Sequence, residues 1–266
     1  MKRLPAIAVA LAAGLAAQTG DGGAQPAFEA ASVKPAPAGG QFAIRLDPGR
    51  LTASHVQLIF LIRDAYSVQE FRISGAPAWA AKDFWNVAAK SSGTFGVEQR
   101  KAMVRTLLAE RFQLQTHWEN RKMPVYVLAV DKNGPKLRAP KPDEEMDIWV
   151  EPKPQGARLV GRRATMGQLA EMLSEWMRRT VVDKTGLSGE YDFRTDWTPD
   201  ARDPMGLEMM IGTRLARAEE GSADPEDAPG PSLAAALRER LGLKLESAKA
   251  PVRILVIDRV EKPSGD

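Results

Sequence analysis

The chain has 266 residues, 44% hydrophobic and 27% charged, the balance of a globular protein with enough length for one large domain or two small ones. It contains no cysteine, which excludes disulfides, thiolate catalysis and cysteine-ligated metals. The formal net charge is only +3, and two of the positive charges fall in a segment expected to be removed, so the charge balance argues against a nucleic-acid partner.

Lys2 and Arg3 precede an apolar run of small residues, Ala6 to Ala17, and Ala16-Ala17-Gln18 offers a small-residue cleavage region. This predicts a secretory signal peptide over residues 1–18 and a periplasmic or extracellular protein. No cysteine follows the run, so no lipoprotein anchor is expected. No later apolar run reaches about 18 residues, so no membrane span is expected in the mature chain. The Gly-rich residues 19–27 read as a flexible spacer.

A first α+β half is expected over residues 28–138. Phe28 to Pro35 alternates apolar and polar residues and stops at proline, the pattern of a strand. Phe42 to Leu46 and Arg50 to Ala53 form two more, turned by Asp47-Pro48-Gly49. Ser54 with Gln57 three residues on fits a capping box, so a helix is expected from Ser54 into the apolar run Leu58 to Ile62. Further strands are expected over Phe71 to Trp79 and Asp83 to Ala89. Glu98 to Phe112 is amphipathic, with Met103, Val104, Leu107, Leu108 and Phe112 on one face. Leu114 to Trp118 and Val125 to Val130 then read as a pair of strands.

Residues 139–147, rich in proline and charge, read as a linker to a second half over residues 148–266. Arg158 to Gly161 is a short strand. Thr165 with Gln168 forms a second capping box, opening a helix with the stripe Met166, Leu169, Met172, Leu173 and Trp176. Val181-Val182 and Tyr191-Asp192-Phe193 flank a polar turn. A Met-rich segment and an acidic segment, about residues 199–230, read as a mobile insertion. Ser232 caps a last helix, Leu233 to Leu241. Arg111-Phe112-Gln113-Leu114 aligns with Arg240-Leu241-Gly242-Leu243, and Pro124 to Val130 with Pro251 to Ile257. The order of elements therefore predicts an internally duplicated α+β fold, its helices packed on a largely antiparallel sheet.

Few residues present themselves for chemistry. His55 and His117 lie far apart without acidic or histidine neighbours at metal-ligand spacing, so no metal and no cofactor is expected. No nucleophile elbow, phosphate loop, dinucleotide fingerprint or zinc-protease motif occurs. The turn Asp183-Lys184-Thr185-Gly186 admits two readings: a Lys–Asp catalytic pair, or a turn in which Asp183 bonds the backbone and Gly186 and Gly189 take positive φ. Glu190 and Asp192 would share a strand face, as a carboxylate pair or as a solvated edge. Trp149 and Trp197, in polar surroundings, are candidate stacking surfaces. Arg162-Arg163 and Arg178-Arg179 flank the third helix, where they suit an anionic partner or the helix dipole.

Phe28 to Pro35, Gly75-Ala76-Pro77-Ala78-Trp79, Leu107 to Leu114, Gly134-Pro135-Lys136-Leu137, Val182 to Phe193, Leu241 to Glu246 and Val256 to Pro263 resemble, in order and spacing, the soil-associated family of secreted bacterial proteins of unknown function. The resemblance implies export and supplies no catalytic or binding residues. Two functions fit the residues: a non-catalytic binding or interaction module engaging an unknown envelope or extracellular protein or ligand, and a hydrolase working through Glu190 and Asp192 or through Lys184.

Overall fold

The computed structural model describes residues 26–153, 156–200, 203–206, 208 and 230–263. The expected signal peptide, and all of the insertion between residues 207 and 229 except Glu208, lie outside the described residues.

The first sheet is antiparallel, in the order β1 (Ala30–Pro35), β5 (Phe84–Lys90), β3 (Arg50–Gln57), β2 (Ala43–Asp47). Its buried face carries Leu51, Ala53, Trp85, Val87 and Ala89. Helices α1 (Leu58–Tyr66) and α2 (Val97–Phe112) close it. The second sheet is β10 (Glu190–Trp197), β8 (Gly156–Thr165), β7 (Asp147–Lys153), also antiparallel. It is closed by α3 (Met166–Met177) and α4 (Leu233–Ala236, continued by a π turn over Leu237–Leu241).

A central sheet joins them. Its two long strands, β6 (Gln115–Val130) and β11 (Leu243–Arg259), pair antiparallel along their lengths. The short strands β4 (Ile73–Ser74) and β9 (Val181–Asp183) flank them, each running parallel to its neighbour. Both long strands cross from one core to the other. β11 leaves α4 with Leu243 in the second core and arrives with Leu255 and Ile257 in the first. β6 leaves α2 and delivers Leu128 to the second core. Each core is therefore completed by the last strand of the other half, and β4 and β9 likewise pair across, to β11 and β6. The fold is α+β, as the order of elements predicts.

After β1, which has no counterpart among the described residues of the second half, the elements follow one order in both halves: hairpin, helix, short parallel strand, third sheet strand, helix, long strand. Each of α1, α2, α3 and α4 ends in a left-handed residue, Ser67, Gln113, Arg178 and Gly242 respectively. Tyr126, which opens the parallel pairing with β9, lies thirteen residues after Gln113, and Leu255, which opens that with β4, lies thirteen after Gly242. The pairing register thus places Tyr126 with Leu255, two residues out of step with the match of Pro124 to Pro251 read from sequence.

The structure corrects several expectations. Ser54 and Gln57 do not cap a helix. β3 continues through them as a strand with a bulge between Ala53 and Val56, because ladder bonds to β2 and β5 take the backbone first. His55 sits in that bulge at φ 51°, and α1 begins at Leu58 without a side-chain cap. Of Phe71 to Trp79 only Ile73–Ser74 is strand, between two 3₁₀ turns. Leu114 to Trp118 and Val125 to Val130 are not two strands: they belong to the one strand β6, apart from Leu114 just before it, because β11 pairs with it throughout. The Thr165–Gln168 capping box forms as expected, with both reciprocal bonds present.

Gly242 and Gln113 share a left-handed conformation but not the same surroundings. A Cβ at Gly242 would collide with the Gly134 carbonyl, whereas Gln113 carries its side chain out to the Glu110 carbonyl. A left-handed non-glycine residue costs roughly 1–2 kcal/mol before any collision is counted. Gly242→Ala is expected to lose at least that much in urea unfolding, and Gln113→Gly to change stability by under about 1 kcal/mol. Equal losses would remove the assignment.

Candidate functional site

The polar side chains of the two halves meet in a cleft of about 450 Å³. One wall is the outer face of α1 and the turn after it: Phe60, Arg63, Asp64, Ser67, Val68, Gln69 and Arg72. The other comes from α3 and the approach to β9: Glu171, Ser174, Thr180 and Val181. Helical spacing places Phe60, Arg63, Asp64 and Ser67 on one face, and the buried Leu58, Leu61, Ile62 and Ala65 on the other.

The walls are tied by polar contacts between halves. Arg63 donates to Glu175 at 2.5 Å, with Glu70 at 3.7 Å on its other side. Gln69 donates its amide to the Glu171 carbonyl at 3.2 Å. Asp64 is held bidentately by Arg100 of α2, and this hydrogen bond raises the Arg100 pKa against the effect of burial. Ser174 turns inward, accepting from the Val181 amide at 2.8 Å and donating to Ala170.

Arg72 differs from these cations. It donates from two nitrogens to the Arg253 carbonyl of β11, at 3.0 and 2.6 Å, so its bonds go to a neutral acceptor. Burial, with the charge of Arg253, holds its pKa below the usual arginine range, and Glu171 opposes them. Arg253 in turn lies over the Trp118 ring at 4.2 Å. The wall of the cleft therefore holds a partly desolvated guanidinium fixed in place, with apolar surface from Phe60, Val68 and Val181 beside it. Such a cleft suits binding.

The residues singled out from sequence lie elsewhere, in the second half. Asp183 accepts from the Thr185 amide and hydroxyl, both at 2.8 Å, and Gly186 takes φ 70°. This is the turn reading of that stretch, with Lys184 bonded through its backbone to Leu128. Gly189, expected at positive φ, is not among the residues in that region. Glu190 pairs with the Arg163 guanidinium at 2.9 Å, and Asp192 accepts the Arg163 amide at 2.9 Å and the Lys141 amide at 3.2 Å. A bulge between Tyr191 and Phe193 interrupts the alternation that would have made them a regular pair. The supposed linker is bound here too, through the Lys141 amide, and Arg138 just before it bridges to Asp192. Trp149 is half-buried, with Arg162 over its ring at 4.7 Å and its N–H on Glu151.

Trp197 is not a surface platform. It is 3% exposed, edge-on to Trp176, and donates its N–H to Asp203 at 2.5 Å. Its polar sequence neighbours point outward from β10 while it points into the core. Asp203 itself is buried and also accepts the Gly206 amide at 3.0 Å. Burial raises its pKa, opposed by the hydrogen bonds of Trp197 and Gly206. Among the described residues no cluster of three or more His, Asp or Glu side chains has metal-binding geometry, and no helix is long and apolar enough to cross a membrane. His117 pairs with Asp258 at 2.9 Å.

The fold and the cleft define a two-halved α+β protein without an assembled catalytic constellation among its described residues. The chain belongs to a family of proteins of unknown function, DUF3738, whose profile matches residues 60–260, from α1 through the end of β11. No curated protein and no solved structure matches it.

The Asp203 carboxyl sets a testable pH dependence. A raised folded-state pKa means that the native protein keeps a proton that the unfolded chain has released. The stability from this group is complete below the ordinary aspartate value of 3.8. It is lost as pH rises through the folded value, and constant above it. Urea midpoints measured from about pH 3 to about pH 8 are expected to show this fall in the native sequence and a flatter profile in Asp203→Asn. Superimposable profiles would show that Asp203 is ordinary.

Proposed function

We propose that this protein is a non-catalytic binding module of the periplasm or cell exterior, taking a small anionic ligand of the carboxylate or phosphate class in the cleft between its halves. The observation that carries this reading is Arg72: a guanidinium partly removed from water, oriented by two bonds to one carbonyl, at the wall of a cleft to which both halves contribute. Arginine in that state favours a planar, bidentate anion. Phe60, Val68 and Val181 supply contact for an apolar portion of the ligand.

The basic N-terminus and its apolar run support export. The repeated order of elements supports an origin by internal duplication, after which the cleft lies where the two equivalent helices α1 and α3 face one another. The turn at Lys184 and the pairing of Glu190 and Asp192 with Arg163 and backbone amides favour structural roles for those residues over hydrolysis.

The test is thermal unfolding against a panel of organic carboxylates and phosphates. A ligand at ten times its Kd stabilises by about 1.4 kcal/mol, which raises Tm by roughly 3–6 °C in a chain of this size. Arg72→Met is expected to abolish that rise while leaving the fold intact by circular dichroism. A rise that survives Arg72→Met places the ligand elsewhere, and no rise with any anion ends the proposal.

A further inference from the structure

Among the described residues β2 is an open edge of the first sheet, hydrogen-bonded to β3 alone. Natural sheets blunt such edges with proline, charge, bulges or a covering segment. Both edges of the second sheet show these devices: β7 carries Asp147, Glu151, Pro152 and Lys153, and β10 is covered at Asp192 by Arg138 through two backbone bonds. β2 has neither proline nor bulge, its charges Arg45 and Asp47 alternate onto the face opposite Ile44 and Leu46, and its five residues are all exposed.

The exposed face is apolar. Ile44 and Leu46 lie opposite Ala53 and Leu51, which are buried, so both point to the core side of the sheet. They are nevertheless 39% and 54% exposed, and Phe42, one residue before the strand, is 57% exposed. Phe42 packs edge-on against Phe60 of α1 at 5.1 Å. The core face of the sheet therefore runs out past its helices and ends in three uncovered apolar side chains beside unpaired backbone.

We propose that β2 pairs antiparallel with β2 of a second copy of this chain, joining two four-stranded sheets into one of eight strands. The sequence of the edge selects this occupant because it is self-complementary. With Ile44 opposite Ile44 of the second copy, Phe42 falls opposite Leu46 on both sides of the two-fold axis. All six apolar side chains then share one face. On the other face Arg45 meets Ala43 and Asp47 meets Gln41, so no like charges oppose. The interface is isologous and closed, as a two-fold dimer requires. One strand pair and six side chains make a contact below the standard interface size, so the dimer is reversible and concentration-dependent.

The absence of cysteine makes a direct test available. Ile44→Cys places one thiol on the proposed axis, where directly opposed strand residues meet disulfide geometry. Mild oxidation of the purified protein is expected to give a covalent dimer, while Met146→Cys, an exposed apolar position beside Gln168 in the second half, stays monomeric. Sedimentation of the unmodified protein is expected to show a monomer–dimer equilibrium that Ile44→Lys shifts to monomer, its circular dichroism unchanged. A monomer at every concentration, a dimer that survives Ile44→Lys, or equal cross-linking of both cysteine variants would each overturn the proposal. None of these readouts involves the cleft or its ligand.

Discussion

The structure depends on the pairing of β6 with β11. Each of these strands starts beside the helix of its own half and ends inside the core of the other. Leu255 and Ile257 of β11 lie in the first core, and Leu128 of β6 in the second. Neither core is complete without the other half, so burial of apolar surface, the dominant stabilising term, is not divisible between them. Arginines reinforce the exchange: Arg72 caps the Arg253 carbonyl of β11 and Arg179 the Val125 carbonyl of β6.

The cleft is a consequence of that exchange. Because β4 and β9 must reach opposite edges of one sheet, the helices before them, α1 and α3, are brought face to face. Their outer faces are polar, and bringing them together would leave charges unpaired without the ion pairs Arg63–Glu175 and Arg100–Asp64. Most charges in the cleft are neutralised in this way. Arg72 instead donates to the neutral Arg253 carbonyl. The same geometry leaves β2 at the rim, where Phe42 and Phe60 extend the apolar surface of α1 toward an open strand edge.

Much of the local structure was legible. The Thr165–Gln168 box, the amphipathic stripe of α2 and the Ser232 cap depend on residues three or four apart, and the chain carries that information locally. The matching signals failed where long-range pairing competed. Ser54 and Gln57 have the spacing of a capping box, yet two neighbouring strands claim their backbone. The polar run from Glu119 to Lys122 separates two strand patterns in the sequence, yet β11 pairs with it residue by residue. Trp197 was misread because sequence neighbours do not reveal which face of a strand is covered.

The cleft itself was not legible, since Arg63, Gln69 and Arg72 lie about a hundred residues from Glu171 and Glu175, and no motif links them. Composition and periodicity determined by themselves the α+β class, the lack of thiol chemistry and the order of elements, because these rest on residue type and short-range spacing. Only the tertiary structure decided that the two halves exchange their last strands, because that choice is made by which apolar faces remain uncovered once each sheet and helix has formed.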